Sequence, residues 1–214
     1  MLKHSFFIAV ILMFIGTSAS SQIFQFNPYY GTTLPMPLKT YYGRFITDGG
    51  PNFGANIAWG NGISGGGFSQ NAFFELQYNY SKSPLEYDSY YGSERYQLGD
   101  LKTHNILAGI SKGSGNGKFE GYGGYYLGVT IFDVEDPEAF DYTRFTMAFG
   151  AGLKYYATPF LGIKLHTQLY LPFWSSSLYL GWYGGATGTI SALCSPYMNF
   201  NVGIFANIDR SYTY

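Results

Sequence analysis

The stretch from Thr143 to Leu171 limits what the chain can become more than any other, because it alternates twice over across a short break. Phe145, Met147, Phe149, Ala151, Leu153 and Tyr155 take turns with Thr146, Ala148, Gly150, Gly152, Lys154 and Tyr156. After Ala157-Thr158-Pro159, Leu161, Ile163, Leu165, Thr167, Leu169 and Leu171 take turns with Gly162, Lys164, His166, Gln168 and Tyr170. A strand turns successive side chains to opposite faces, so each half has an apolar face and a face of glycine, polar and charged residues. The two halves form a hairpin. At ~3.3 Å per residue either half can cross the ~30 Å hydrocarbon layer at the usual tilt of a barrel strand. Such a hairpin suits the edge of a soluble sandwich or the wall of a barrel standing in a membrane.

Composition separates the two. Charged residues make up 12% of the chain and aromatics 21%, whereas a soluble domain carries about a quarter charged residues. Much of this surface is therefore expected not to face water. The net charge of -1 offers no basic excess, so no nucleic-acid partner is expected. The single cysteine, Cys194, excludes an internal disulfide, a lipoprotein-type N-terminal cysteine and a Cys-cluster metal site, and reads as a small packed residue.

The N-terminus reads as a targeting segment. Lys3 and His4 precede an apolar run from Phe6 to Ile15, and small residues from Gly16 to Ser21 offer cleavage after Ala19 or after Ser21, the latter leaving Gln22 first. Residues 1–21 are thus expected to be a signal peptide, and the apolar run falls short of the ~20 residues of a spanning helix. Residues 22–38, broken by Pro28, Pro35 and Pro37, read as an N-terminal periplasmic leader, because proline is a poor fit for a central strand.

The barrel domain is expected over 39–214. Strands fall near 39–47, 53–60, 71–80, 100–111, 119–131, 143–156, 161–171 and 198–208. Asp48 to Asn52 is a turn signal, Ser81 to Gly99 a long polar loop, Gly113 to Gly117 a tight hairpin connection, Asp133 to Asp141 an acidic loop, and Pro172 to Pro196 the longest connection. Apart from the first outer one, the connections alternate short and long. That layout predicts an all-β fold, an eight-stranded antiparallel up-and-down transmembrane β-barrel. Lipid offers no hydrogen-bond partner, so a spanning sheet must close on itself.

At eight strands the interior has room only for side chains. Arg44, Glu75, Glu120, Lys154, Lys164 and His166 are expected there, with opposite charges paired because an unpaired buried charge is costly. The lumen is expected to be plugged. Tyr155 and Tyr156 beside the short break, and Tyr170 and Trp174 at the other end of the same hairpin, are expected in the aromatic girdles.

Little chemistry emerges. Gly113 to Gly117 joins two strands and precedes no helix, so it does not read as a phosphate loop. Outside the targeting segment only His104 and His166 remain, too few and too scattered for a histidine metal site, and no metal, cofactor or catalytic residue is expected. His166 reads as a hydrogen-bonded lumen residue ahead of a general base. The acidic residues Asp133, Glu135, Asp136, Glu138 and Asp141 lack the ordered spacing of a calcium loop.

The segments GPNFGANIAWG, NAFFELQYNY and RFTMAFGAGLKYYATPFLGIKLHTQLYLPF resemble those of the small outer-membrane β-barrel domain family, of the OmpA/OmpX/OmpW type, over Lys39 to Ile208. The resemblance implies residence in the cell outer membrane, contact with outer-membrane lipid and insertion by the barrel assembly machinery. It implies a structural, anchoring or surface-interaction role carried by external loops, with a lipid-modifying barrel enzyme or a narrow small-solute channel as alternatives; a ligand or protein bound outside is not indicated. Family members often end on an aromatic that closes the last strand. Here Ile208 is followed by Asp-Arg-Ser-Tyr-Thr-Tyr214, so Tyr212 or Tyr214 takes that place or the strand extends further.

Overall fold

A computed structural model describes residues 22–35, 38–39, 43–61, 71–90, 95–135, 141–158, 160–173 and 196–209. The expected signal peptide, Trp174, Cys194, Tyr212 and Tyr214 lie outside the described residues. Every regular element among them is a strand: β1 (Gln22–Thr33), β2 (Leu38–Lys39), β3 (Gly43–Thr47), β4 (Gly50–Asn61), β5 (Asn71–Ser89), β6 (Arg95–Asn116), β7 (Phe119–Val134), β8 (Tyr142–Tyr156), β9 (Leu161–Pro172) and β10 (Tyr197–Asp209).

Eight of these close a ring. Going round it, β1 pairs with β4, β4 with β5, and then each strand with the next through β10, which pairs back to β1; all the pairings are antiparallel. Both chain ends of the barrel lie at one rim, with the β6–β7 and β8–β9 turns. At the first, Gly117 adopts φ 69°, a left-handed conformation that a two-residue hairpin turn requires and that glycine supplies without strain. At the second, the Thr158 hydroxyl accepts from the backbone N–H groups of Phe160 and Leu161.

The alternation sorts side chains as lipid demands. On β9, Leu161, Ile163 and Leu165 are exposed while Gly162, Lys164, His166, Gln168 and Tyr170 are buried. Phe24, Phe53, Trp59, Leu76, Ile110, Phe149 and Ile204 belong to the same outward apolar band. Exposing so many large apolar side chains in water would be strongly unfavourable, and a hydrocarbon surround removes that cost. Aromatic pairs mark its edges, Phe119 against Tyr155 at the rim of the chain ends and Phe145 against Phe173 at the other. Ten residue steps separate Phe145 from Tyr155, ~33 Å along the strand and about 25 Å once tilted, the height of a spanning barrel's apolar band.

Three expectations need correction. Residues 22–33 are not a leader. They form β1, the strand on which the ring closes, with Phe24, Phe26 and Tyr30 outward and Gln25, Asn27 and Tyr29 inward. Pro28 fits because the ladder to β10 lapses over Asn27 and Pro28 and resumes in the same register, so the absent proline N–H is not missed there. The segment 39–47 is not a wall strand. Only 43–47 forms β3, which pairs with β5 above the wall, and Asp48-Gly49 is a jog between β3 and β4 along one edge of β5, with Gly49 at φ 74°.

The polar segment 81–99 is not a loop either. β5 runs on to Ser89 and β6 starts at Arg95, paired up to Asp88 and Arg95 with a bulge between Pro84 and Glu86. The strand count of the wall stays at eight, with β1 in place of the segment beginning at 39.

If β1 closes the ring, deleting residues 22–33 from the chain abolishes folding, seen as loss of the heat-modifiable band on a gel of membrane fractions. A dispensable leader would leave that band unchanged.

Candidate functional site: the barrel interior

The interior is built by the inward halves of the alternating strands, and it is mostly polar, with Phe73, Leu107 and Phe205 among its buried apolar side chains. Successive inward residues on β5 are Glu75, Gln77 and Asn79; on β9 they are Lys164, His166, Gln168 and Tyr170. In the ring β5 and β9 stand four strands apart in either direction, so their inward side chains face each other across the diameter.

Two contacts span that diameter. Lys164 Nζ lies 3.7 Å from Glu75 Oε2, with both side chains about 1% exposed. Beside it, Gln77 and Gln168 exchange a reciprocal pair of amide hydrogen bonds, Nε2 of Gln77 to Oε1 of Gln168 at 2.7 Å and the reverse at 3.0 Å. A third diametric contact joins β10 to β6, where the Tyr197 hydroxyl donates to Asn105 Oδ1.

Around Glu75 the carboxylate is saturated with donors. Asn56 Nδ2 donates at 2.7 Å, the Tyr126 hydroxyl at 3.1 Å, and the Ser111 hydroxyl completes the set. Hydrogen bonds to a charged acceptor are about twice as strong as neutral ones, and they offset part of the desolvation that burial imposes. Towards the rim of the chain ends, Lys154 Nζ lies 3.4 Å from Glu120 Oε1 and the Tyr156 hydroxyl donates to Glu120 at 2.9 Å. Both lysines also lie over aromatic rings, Lys154 at 4.6 Å from the Phe73 centroid and Lys164 at 4.6 Å from that of Tyr122. A desolvated cation gains from an aromatic face.

Towards the opposite rim the interior becomes neutral. Asn79 donates to Asn52 and accepts from Asn105 and Asn199, while Thr130 donates to Asn105 and shares a hydrogen bond with Thr146. Tyr170 stacks on Tyr197 with centroids 4.7 Å apart.

His166 sits between these layers. Its Nε2 faces the Gln168 Oε1 acceptor at 3.0 Å, which places the proton on Nε2 and leaves Nδ1 to accept from the Tyr122 hydroxyl at 2.6 Å. Both ring nitrogens are thereby engaged by an amide and a phenol, with neither poised against a serine or threonine hydroxyl. His104 is on the outer face, where Nδ1 lies 2.9 Å from the Tyr78 hydroxyl and the ring lies against Tyr80.

The structure therefore brings together Glu75, Glu120, Lys154, Lys164 and His166. Arg44 stands apart, a correction that follows from moving β3 out of the wall: its guanidinium pairs with Asp88 at 2.7 Å above the apolar band. Of the expected girdle residues, Tyr155 faces outward beside Phe119. Tyr156, its neighbour, turns inward by strand parity to Glu120. Tyr170 is wholly buried, because it continues the inward series of β9. The reading from composition missed Tyr29, whose ring is interior. The signal was present in the alternation Phe24-Gln25-Phe26-Asn27, obscured by Pro28 and by two adjacent tyrosines.

With Glu75 replaced by alanine, Lys164 is left buried without its counter-ion, and the folded barrel is expected to lose ~3–5 kcal/mol. Adding Lys164→Met should return more than half of that loss. Urea unfolding of the refolded chain in lipid vesicles measures both, and equal losses from the single and double variants would contradict the pairing.

No family model matches the chain, and no curated protein matches it in sequence. Among solved structures, Neisserial surface protein A matches with a TM-score of 0.51 at 13% identity, covering 87% of this chain and 97% of that one. The N-terminal β-barrel domain of Pseudomonas aeruginosa OprF gives 0.47 at 13% identity, covering 88% and 100%. The attachment invasion locus protein Ail of Yersinia pestis gives 0.46 at 11% identity, covering 88% and 99%. At such identities the likeness is one of fold, and the first of the three carries it. The chain has the fold of the small eight-stranded outer-membrane barrels.

Proposed function

We propose that this chain is an integral outer-membrane protein that works through the sheet it raises above the membrane, with an interior closed to solute flow by its own side chains. The observation that carries the reading is the continuation of β5 and β6 beyond the apolar band as a paired hairpin, with β3 and β2 added to its edge. A barrel serving only to span would have no need of it.

That raised sheet is charged and partly aromatic. Arg44, Asp88 and Arg95 lie in register on three adjacent strands, Arg44 bonded to Asp88, and Arg95 reaches Glu86 at 3.7 Å. At its base Lys82 bridges Asp100 at 2.8 Å and Glu135 at 3.4 Å. Hydrogen bonds to Asp100 first, and to Glu135, raise the Lys82 ammonium above its ordinary pKa. Tyr90 and Tyr96 are more than half exposed. Among the described residues, β7 pairs with β6 as far as the Leu101–Val134 pair and the bond from Glu135 N to Asp100 O. Charge and exposed tyrosine are means by which a surface sheet takes hold of a partner.

Support for a closed interior comes from the three contacts across the diameter. In a ring of eight strands, side chains that meet at the centre leave no aqueous bore. The reading also includes export by residues 1–21 and insertion by the barrel assembly machinery, with outer-membrane lipid as the surround.

Placed in a Cys194→Ser background, Tyr90→Cys should react with a membrane-impermeant maleimide on intact cells, and Lys118→Cys only after lysis. The reverse pattern would refute the orientation. In planar bilayers the refolded wild-type chain should carry no steady current, and a sustained open level would show that the interior conducts.

A further inference from the structure

The polar atoms of the interior are not evenly satisfied. Among the described residues, seven buried amide atoms without a protein partner belong to β1 and the two strands flanking it: Gln25 Oε1 and Asn27 Oδ1 on β1, Asn52 Nδ2 and Asn56 Oδ1 on β4, and Asn199 Oδ1 with both amide atoms of Asn201 on β10. All six residues are 3% exposed or less, so bulk solvent does not reach them. Buried amides are as a rule hydrogen-bonded, and where the protein supplies no partner, bound water does.

The register divides these amides into two groups. Asn27 is level with Asn56, with Gln25 one inward step nearer the chain ends. Two inward steps beyond Asn27, Gly31 is level with Asn52 and Asn201, and Thr33 with Asn199. Between the groups lies the level of Tyr29, whose neighbours on both sides are glycines, Gly54 on β4 and Gly203 on β10. None of the residues carrying the unpartnered amides is paired on that level, although Asn27 Oδ1 reaches up to the edge of the space beside Gly203.

Tyr29 occupies the space its two neighbours leave. A Cβ at Gly54 would lie 2.6 Å from the Tyr29 hydroxyl and 2.7 Å from its ring carbon Cζ; one at Gly203 would lie 2.9 Å from Tyr29 Cβ and 2.5 Å from Asn27 Oδ1, so the Asn27 amide shares the space on that side. The ring is held there by its hydroxyl, which donates to the Tyr78 carbonyl at 3.2 Å and accepts from Gln77 Nε2 at 3.0 Å. Without the ring, three adjacent strands would present no side chain larger than a methyl on this level, a gap about 10 Å across two strand spacings.

We propose that the β10–β1–β4 side of the interior binds water in two groups, one on each side of Tyr29, and that the Tyr29 ring is the barrier that keeps them from joining into a path for small neutral solutes. Amide groups present donors and acceptors without charge, which suits water and small hydroxylated molecules. Among the described residues, the buried charged side chains Glu75, Lys164, Glu120 and Lys154 are paired with one another, Glu75 with Lys164 and Glu120 with Lys154. The inference stands apart from what the raised sheet binds.

The hydration is read on the wild-type mature chain in lipid bilayers, by transfer of magnetisation from water to side-chain amides in solid-state NMR. Fast build-up is expected at Asn27, Asn52, Asn56 and Asn201, and slow build-up at Gln77 and Gln168, which bond each other. Equally slow build-up at all six overturns the bound water.

The barrier is read by swelling of chain-loaded liposomes in glycerol. Tyr29→Ala should swell several-fold faster than wild type and Tyr29→Phe should not, since the ring and not the hydroxyl fills the gap. A folded Tyr29→Ala barrel as tight as wild type overturns the role of Tyr29. Folding is scored by the heat-modifiable band. If Tyr29→Ala fails to fold, Tyr29→Ser is used in its place, and the wild-type hydration result still decides whether the two water groups exist.

Discussion

Closure of the sheet through β1 is the constraint on which everything else in this structure depends. A backbone N–H or C=O facing hydrocarbon has no partner outside the protein, so a spanning sheet with an open edge is excluded by several kcal/mol for each unpaired group. β1 meets the requirement on both sides at once, pairing with β4 along its length and with β10 except over Asn27 and Pro28. A proline is costly in the middle of a sheet because it withholds a donor. Here it occupies the stretch where one ladder already lapses.

Closure at eight strands sets the diameter, and the diameter sets the interior chemistry. In a wider barrel Glu75 and Lys164 would each face water and interact weakly. In this one they meet, as do Gln77 and Gln168, and each pair adds a contact across the barrel to the hydrogen bonds its members make with nearer neighbours. The burial order of a soluble protein is thereby largely inverted, with amides, carboxylates and ammonium groups inside and most of the phenylalanine, leucine and isoleucine outside, Phe73, Leu107 and Phe205 excepted. Tyrosine serves both places. Tyr155 faces outward at the rim of the chain ends with its ring against Phe119, whereas Tyr122, Tyr126 and Tyr170 fill the interior with apolar bulk and carry a hydroxyl to a polar partner.

Legibility in the sequence followed the cleanness of the alternation. The β8–β9 hairpin could be read residue by residue, and with it the inward set of Lys154, Lys164 and His166. Glu75 and Glu120 followed from the same parity on their own strands. Where tyrosine or proline interrupts the pattern, parity loses its grip, since tyrosine is at home on either face. For that reason 22–33 read as a leader, and Tyr156 and Tyr170 read as interface residues although their positions in the series were inward. The raised part of the β5–β6 hairpin was illegible for another reason. Above the membrane neither face needs to be apolar, so a strand there carries no periodic signal and looks like a loop.

What the sequence alone determined was the direction of each side chain along a clean strand, and through it the inversion of inside and outside that places such a sheet in lipid. Those are local properties, set by the two-residue period of an extended backbone. Which segment closes the ring, and which residues meet across it, was decided only by tertiary structure. Glu75 and Lys164, or Gln77 and Gln168, are separated by about ninety positions in the chain, and no local period relates them. Their meeting depends on the number of strands between β5 and β9 and on the register of every ladder in between, so it exists only once the wall has closed.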